Sequence, residues 1–174
     1  MNSDLAELIA SRLRDVPDFP QPGILFKDIA PLLADGAAFR AVIAGLAEFG
    51  RDADVVAGVE ARGFLIAGAL ATELGCGLVP VRKAGKLPPP VRSRAYTLEY
   101  GTAEIEVPAN GLAGARVLLV DDVLATGGTL RAAAELIADA GGTVTALAVL
   151  LEIAALHGRA ALDGLAPLHV LLTA

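Results

Sequence analysis

Arg116-Val-Leu-Leu-Val-Asp-Asp-Val-Leu-Ala-Thr-Gly-Gly-Thr-Leu-Arg131 brings an apolar run, two adjacent carboxylates and a glycine-threonine loop into sixteen residues. Val117 to Val120 is a short continuous apolar run, the pattern of a strand buried on both faces of a parallel sheet. Asp121 and Asp122 are then expected where that strand ends. Ala125-Thr126-Gly127-Gly128-Thr129 follows, and the alanine-rich segment Leu130 to Ala140 reads as a helix, so the loop lies at a helix N-terminus. Unpaired backbone N–H groups and the positive end of the helix dipole favour a phosphate dianion there. Glycines let the backbone approach phosphate oxygens without a Cβ in the way, and Thr126 and Thr129 each add a hydroxyl donor. Two carboxylates would repel the same phosphate, so they need another partner, and the vicinal hydroxyls of a ribose are a natural one. The motif points to a ribose 5-phosphate group held at both ends, although an ordinary strand-to-helix connection has the same outline.

Two nucleotide-binding patterns are missing. No G-x-x-x-x-G-K-[ST] occurs in the chain, which removes a Walker-type site, and no G-x-G-x-x-G follows a strand, which weakens a dinucleotide-binding reading. A chain of 174 residues is most simply one domain with a substantial core. A single cysteine, Cys76, permits no intrachain disulfide and suits a reducing, cytoplasmic setting. The longest uncharged stretch, Ala140 to Leu151, is too short to span a bilayer, and the opening MNSDLAELIASRLRD lacks a signal-like apolar core. A net charge of −6 argues against a general nucleic-acid surface. Even so, Arg82, Lys83, Lys86, Arg92 and Arg94 fall within thirteen positions of a chain holding only 14 Lys and Arg, a clustering that suits a small anion.

Along the chain, Asp4 and Glu7 resemble a capping box, and Leu5, Leu8, Ile9 and Leu13 give a helical apolar face up to about Arg14, ending before Pro17. Phe19 to Ile29 is aromatic, punctuated by prolines, and expected to be a shaped loop without regular structure. A second helix is expected over Ala37 to Phe49, closed by Gly50. A buried strand follows over Val55 to Val59, then a helix over Phe64 to Leu74 with Gly75 at its C-terminal cap, then a strand over Leu78 to Arg82. Ala84 to Arg94, with Pro88 to Pro90, reads as an exposed loop, and Tyr96 to Tyr100 with Ala103 to Val107 as a hairpin. After the opening motif come a strand over Val144 to Leu151, a short helix around Leu156 to Leu162 and a last strand over Leu168 to Leu172.

Strands alternating with helices imply an α/β fold with a mainly parallel central sheet flanked by helices. Such sheets bind ligands at the C-terminal edges of their strands. That rule draws Glu60-Ala-Arg-Gly63, Arg82-Lys83 and Asp121-Asp122 into one crevice. Arg62, followed by Gly63 at a helix start, forms with Lys83 a second anionic pocket apart from the Ala125 to Thr129 loop. A ligand with phosphate at both ends is implied.

Together these segments resemble the type I phosphoribosyltransferases, and in detail the adenine phosphoribosyltransferases. The resemblance rests on PDFPQPGILFKDI, E-A-R-G-F, VRKAGKLP, Y-T-L-E-Y-G, VLLVDDVLATGGT and the closing LLE…L-x-G-R-x-x-L, and covers nearly the whole chain. It implies transfer of ribose 5-phosphate from 5-phosphoribosyl 1-diphosphate (PRPP) to N9 of adenine, giving AMP and diphosphate, with Mg2+ accompanying the diphosphate and no dedicated protein ligands expected for it. It implies one domain over 1–174, with an N-terminal helix and base-binding hood at 1–35, a flexible hairpin lid at 84–107, and a homodimer. By resemblance, Ala125, Thr126, Gly127, Gly128 and Thr129 hold the 5-phosphate and Asp121 and Asp122 the ribose hydroxyls. Arg62, Gly63 and Lys83 take the diphosphate, and Arg82 reaches the diphosphate of the neighbouring subunit. Phe26 stacks on adenine with Val123 on the other face, while the backbone of Leu25 and Lys27 reads the base edge. Glu99 is the implied catalytic carboxyl, and a cis peptide is implied at Glu60-Ala61.

Pro88 to Pro90, Arg92 and Arg94 make the expected lid stiffer and more basic than the resemblance implies. Lys27 stands where some relatives have arginine, the late C-terminal aromatic is absent, and His157 and His169 match no catalytic position. Two other functions fit a similar outline: transfer to a 6-oxopurine, or a non-catalytic regulator that senses PRPP or a nucleotide. The second predicts a basic extension and loss of the lid glutamate, whereas Glu99 is present.

Overall fold

The structure is a computed structural model that describes residues 3–98 and 101–174. A seven-stranded sheet forms its centre, with strand order β5-β6-β4-β3-β7-β8-β9. Five strands are parallel: β3 (Val55–Val59), β4 (Gly77–Lys83), β7 (Arg116–Leu124), β8 (Thr143–Glu152) and β9 (Leu168–Thr173). The hairpin of β5 (Val91–Leu98) and β6 (Gly101–Pro108) adds antiparallel to β4, with Arg82 opposite Glu106. The expected mainly parallel sheet is therefore what forms.

Period-two alternation divides the core between the two faces. Val56, Leu118, Val120, Ala146, Ala148 and Leu150 pack with α1 (Ser3–Arg12), α3 (Gly36–Ala47) and α4 (Gly63–Leu74). Ala57, Val59, Val117, Leu119, Leu147 and Val149 pack beneath α5 (Gly128–Asp139) with Ile105 and Val107 of the hairpin. Burial on both faces is why the central strands read as unbroken apolar runs. Gly58 lets α4 lie close on β3, since a Cβ there would come within 2.6 Å of Ala67 Cβ. Gly75 ends α4 in the left-handed conformation at φ 67°, as its position predicts.

Several sequence expectations are corrected. Phe19 to Ile29 is not wholly irregular: β2 (Leu25–Asp28) pairs antiparallel with β1 (Arg14–Pro17) in a separate ribbon. Cross-strand ion pairs Arg14–Asp28 and Lys27–Asp15, at 2.7 and 2.8 Å, hold it, and they join residues too far apart in sequence to show a local pattern. The first helix accordingly stops at Arg12, and Asp4 lies in its first turn instead of capping it. A short helix, α2 (Ala30–Ala34), follows β2. The second expected helix runs from Gly36 to Ala47, because the Asp35 carboxylate accepts from the Ala37 and Ala38 N–H groups and fixes its start. The loop expected to reach Arg94 ends at the prolines, and Arg92 and Arg94 belong to β5 because Arg94 is drawn onto α5 by Glu135 and Asp139 at 2.9 and 2.5 Å. Strand β7 continues past Val120 to Leu124, because β8 pairs with it as far as Glu152. The expected helix at Leu156 to Leu162 is two 3-10 turns, broken where His157 takes φ 52°.

At the N-terminal edge, Asp54 accepts from the Arg116 backbone N–H at 2.9 Å and from its Nε and a terminal guanidinium nitrogen at 3.1 and 2.9 Å. The Arg116 side chain and backbone hydrogen bonds hold the Asp54 carboxyl down at about 2, below its ordinary 3.8. Stabilisation from this pair is complete above about pH 4 and is lost as pH falls toward about 2. Denaturant midpoints of wild type and Asp54→Asn should therefore differ at pH 6 and converge at pH 2; a gap unchanged at acid pH would remove the assigned linkage.

Candidate active site

The carboxyl ends of β3, β4 and β7 lie side by side. Val59 pairs with Val81 and Gly58 with Val120, so Glu60 and Arg82 leave their strands together and Asp121 stands one residue below them. Two helices begin at this edge, and neither has a side-chain cap hydrogen bond: α4, with Arg62 at its N-cap, and α5, with Gly127 at φ 83°. Helix α3, which starts elsewhere, is capped by Asp35. At α4 the Phe64 and Leu65 N–H groups donate to the Ala61 and Arg62 carbonyls at 3.2 and 3.1 Å, so its offer to an anion is the dipole and the Gly63 edge, whereas the first N–H groups of α5 face the loop.

Ala125 to Leu130, with Asp121, Val123 and Leu124, line one concave pocket at the start of α5. The Thr129 hydroxyl donates to the Tyr96 oxygen of the hairpin at 3.3 Å. Arg131 ties α5 to the following 3-10 segment by donating to the Ala161 carbonyl at 2.8 Å. Gly63 brings α4 against β7, since a Cβ there would stand 3.0 Å from an Asp121 carboxylate oxygen and 3.1 Å from the Val120 carbonyl.

Between the two helix starts lie the paired acids. Asp122 is only 5% exposed, and Arg62 Nε stands 2.7 Å from its Oδ2. The Arg62 N–H is not aimed along that line, so among the described residues this oxygen has no hydrogen-bond donor, and one buried terminal Arg62 nitrogen likewise has no acceptor among them. Asp121 accepts from the Asp122 backbone N–H at 2.8 Å. Desolvation by burial, and then the neighbouring Asp122 charge, push the Asp121 carboxyl well above its ordinary range, while Arg62 pulls it down. The Arg62 guanidinium also lies over the Phe26 ring, 4.9 Å from its centroid, and Phe19 meets Phe26 edge-on at 5.1 Å. Arg62 thus joins the N-terminal ribbon, the start of α4 and the end of β7.

Glu60 faces away from Arg62. Its carboxylate accepts from the Lys83 backbone N–H at 2.9 Å and from Arg82 Nε at 3.3 Å, and these bonds, the first above all, lower its pKa. Arg82 also donates to the Lys86 carbonyl at 2.9 Å, so its guanidinium is engaged within its own chain. The Lys83 side chain is exposed, as is Leu25, while Lys27 Nζ is held by Asp15. Val123 is partly buried beside the α4 core, and the Glu60–Ala61 peptide is cis. Glu99 lies outside the described residues.

Glu106 was not singled out by its pattern. Although only 4% exposed, it accepts from the backbone N–H groups of Gly85, Lys86 and Leu87 at 3.1, 2.7 and 2.6 Å. Burial pushes its carboxyl up, and the three N–H donors more than offset that, leaving its pKa lowered. The turn after Lys83 is thereby fixed to β6. Gly85, at φ 78°, is the signal that could have located this tight turn. Among the described residues, no group of three or more His, Cys, Asp or Glu is placed to hold a metal ion, and no helix is long and apolar enough to cross a membrane.

Uncapped helix starts flanking an acid pair define the class: a family model of the phosphoribosyl transferase domain matches residues 32–164. The adenine phosphoribosyltransferase of Mycolicibacterium gilvum (strain PYR-GCK) is 56% identical over 165 residues, covering 94% of this chain and 92% of that protein. The crystal structure of adenine phosphoribosyltransferase from Rhodothermus marinus superposes with a TM-score of 0.94 at 44% identity, covering 99% of this chain and 100% of that one. The Saccharomyces cerevisiae enzyme, crystallised with an imino-altritol bisphosphate and adenine, gives a TM-score of 0.90 at 37% identity, covering 98% and 99%. The chain belongs to the phosphoribosyltransferase family and, within it, to the adenine phosphoribosyltransferases.

The electrostatics of the acid pair yield opposite predictions for two variants. Carbon-detected titration of the Asp121 carboxyl should show its pKa falling in Asp122→Asn, while staying above the ordinary value because burial remains. It should rise further in Arg62→Met. Movement in the same direction in both variants would contradict the assigned causes.

Proposed function

We propose that this protein transfers the 5-phosphoribosyl group from PRPP to N9 of adenine, forming AMP and diphosphate. The observation that carries the reading is the pair of uncapped helix starts on either side of Asp121 and Asp122, with Arg62 between them. A ligand matching this edge has an anion at each end and hydroxyls in the middle. Family membership adds the base, since the yeast relative was crystallised with adenine.

The 5-phosphate sits in the loop Ala125 to Thr129, taking backbone N–H donors of α5 and the hydroxyls of Thr126 and Thr129. Asp121 and Asp122 accept from the ribose hydroxyls, a use of carboxylates that does not set them against the phosphates. Arg62, Gly63 and Lys83 receive the diphosphate. Phe26 stacks on adenine with Val123 opposite, and the backbone of Leu25 and Lys27 reads its edge. Mg2+ would accompany the diphosphate and supply neutralisation of part of its charge. The hard oxygens of Asp121 and Asp122 suit such an ion, but they do not form a closed ligand cage.

In the reaction N9 attacks the anomeric carbon as the bond from that carbon to the diphosphate oxygen breaks, its electron pair leaving with the diphosphate. The sugar carries oxocarbenium character between the two events, so the developing charge on the leaving group needs Arg62 and Lys83. The purine gains positive charge and loses a proton, and Glu99 at N7 stabilises or relays that change. Closure of the segment from Ala84 to Tyr100 over bound substrates, in which Arg94 and Tyr96 give up their contacts with α5, excludes water, which would otherwise consume the cation. Two copies of the chain complete the assembly, Arg82 exchanging Glu60 and the Lys86 carbonyl for the neighbour's diphosphate, and a single cysteine suits a cytoplasmic location.

Diphosphate release from PRPP, measured in parallel with adenine, hypoxanthine, guanine and xanthine, tests the reading. Adenine should be strongly preferred, whereas preference for a 6-oxopurine would reassign the base and release with none would reject the enzyme. Glu99→Gln should lower kcat by about 10²–10⁴-fold with adenine as acceptor. A variant at full activity would remove the proton role from Glu99.

A further inference from the structure

Glu152 is a buried carboxylate that the proposed chemistry does not use. It closes β8 between Leu124 of β7 and Thr173 of β9 and is only 5% exposed. An isolated charge there would be costly, and Arg159 neutralises it. Arg159 Nε donates to both carboxylate oxygens at 2.7 and 2.9 Å, a terminal nitrogen adds a bond of 2.7 Å, and the Thr173 hydroxyl donates at 3.2 Å.

Arg159 belongs to the 3-10 turn Gly158–Leu162, which forms the floor of the phosphate loop. A Cβ on Gly158 would stand 2.2 Å from the Ala125 carbonyl oxygen, and one on Gly127 would stand 2.5 Å from the Gly158 carbonyl oxygen. The two segments therefore interlock backbone against backbone, with the Ala161 and Leu124 side chains packed beside the contact. The turn is anchored at one side by Arg159 on β8 and at the other by the Ala161 carbonyl, which accepts from Arg131 of α5. A shift of the turn displaces the N–H groups of Ala125 to Gly127 directly.

We infer that Glu152 and Arg159 are positioning residues whose ion pair sets the shape of the 5-phosphate loop, and thereby the affinity for the phosphosugar but not for the base. The inference rests on the proposed assignment of Ala125 to Thr129 to the 5-phosphate. A charge-assisted bidentate pair is suited to this task because it fixes direction as well as distance. Lysine at 159 would keep the charge and lose the fork.

The test compares wild type, Glu152→Gln/Arg159→Gln and Arg159→Lys. The double variant removes both charges, so no buried carboxylate is left unpaired. The KM for PRPP should rise about tenfold or more in the folded double variant, while the KM for adenine stays within about twofold, as expected for displacement of a binding group by its support. Arg159→Lys should show an intermediate rise in the KM for PRPP. Equal shifts in both KM values, or none, would overturn the inference. Should the double variant not fold, Arg159→Lys decides the matter alone, an unchanged KM for PRPP counting against the brace. Wild type in the same assay tests the proposed reaction separately, and calorimetry with ribose 5-phosphate reads the brace even if no diphosphate is released: weaker binding in Arg159→Lys supports it, and equal binding overturns it.

Discussion

Asp54 and Arg116 grip each other at the amino ends of two neighbouring parallel strands, and the register they hold carries through to the carboxyl ends. A parallel ladder transmits alignment without correction unless a bulge intervenes, and none interrupts β3 against β4 or β7. Glu60 and Arg82 emerge at one height for that reason, with Asp121 one residue below them. The one shift in the neighbouring pair, between Val117 and Leu118 of β7, lies near the start of the strand and leaves Asp121 opposite Val149. Since pleated side chains alternate faces, a slip of one residue would turn the acid of β7 away from the start of α4.

From this alignment the charges follow in sequence. Glu60 ties the end of β3 to the end of β4, Arg62 ties the start of α4 to the end of β7, and Glu106 ties β6 to the turn after β4. Each connection joins two elements that the sheet has already brought together. The hairpin is fastened in the same way, by Arg94 to α5 and by Tyr96 to Thr129. The edge that gathers the functional groups is thus also where these elements are fastened to one another.

Much of this was legible in the sequence wherever the cause was local. The apolar run at Val55 to Val59, the cap at Gly75 and the loop after Asp122 each carry their own signal within a few residues. The phosphate loop, Arg62 and Lys83 could be gathered at one edge because the parallel topology follows from strand and helix alternation. What escaped was set by partners far away. The β1–β2 ribbon depends on Arg14 meeting Asp28 across a proline-rich loop, and Arg94 leaves the expected loop because α5 offers Glu135 and Asp139. Glu106 alternates with Ile105 and Val107 as an outward residue of a hairpin would, yet it is buried by a turn that folds over it. Glu152 ends an apolar strand as many surface acids do, and only the return of Arg159 makes it interior.

Arg62, finally, does not wait in solvent for an anion. It already leans on a carboxylate and covers an aromatic face. Any phosphate that recruits it exchanges one partnership for another, so the net gain is the difference between them, and the vacated ring and carboxylate become part of the thermodynamic cycle. Binding at this edge is a substitution reaction among ions within the protein, and its strength cannot be obtained by adding up the contacts of the occupied state alone.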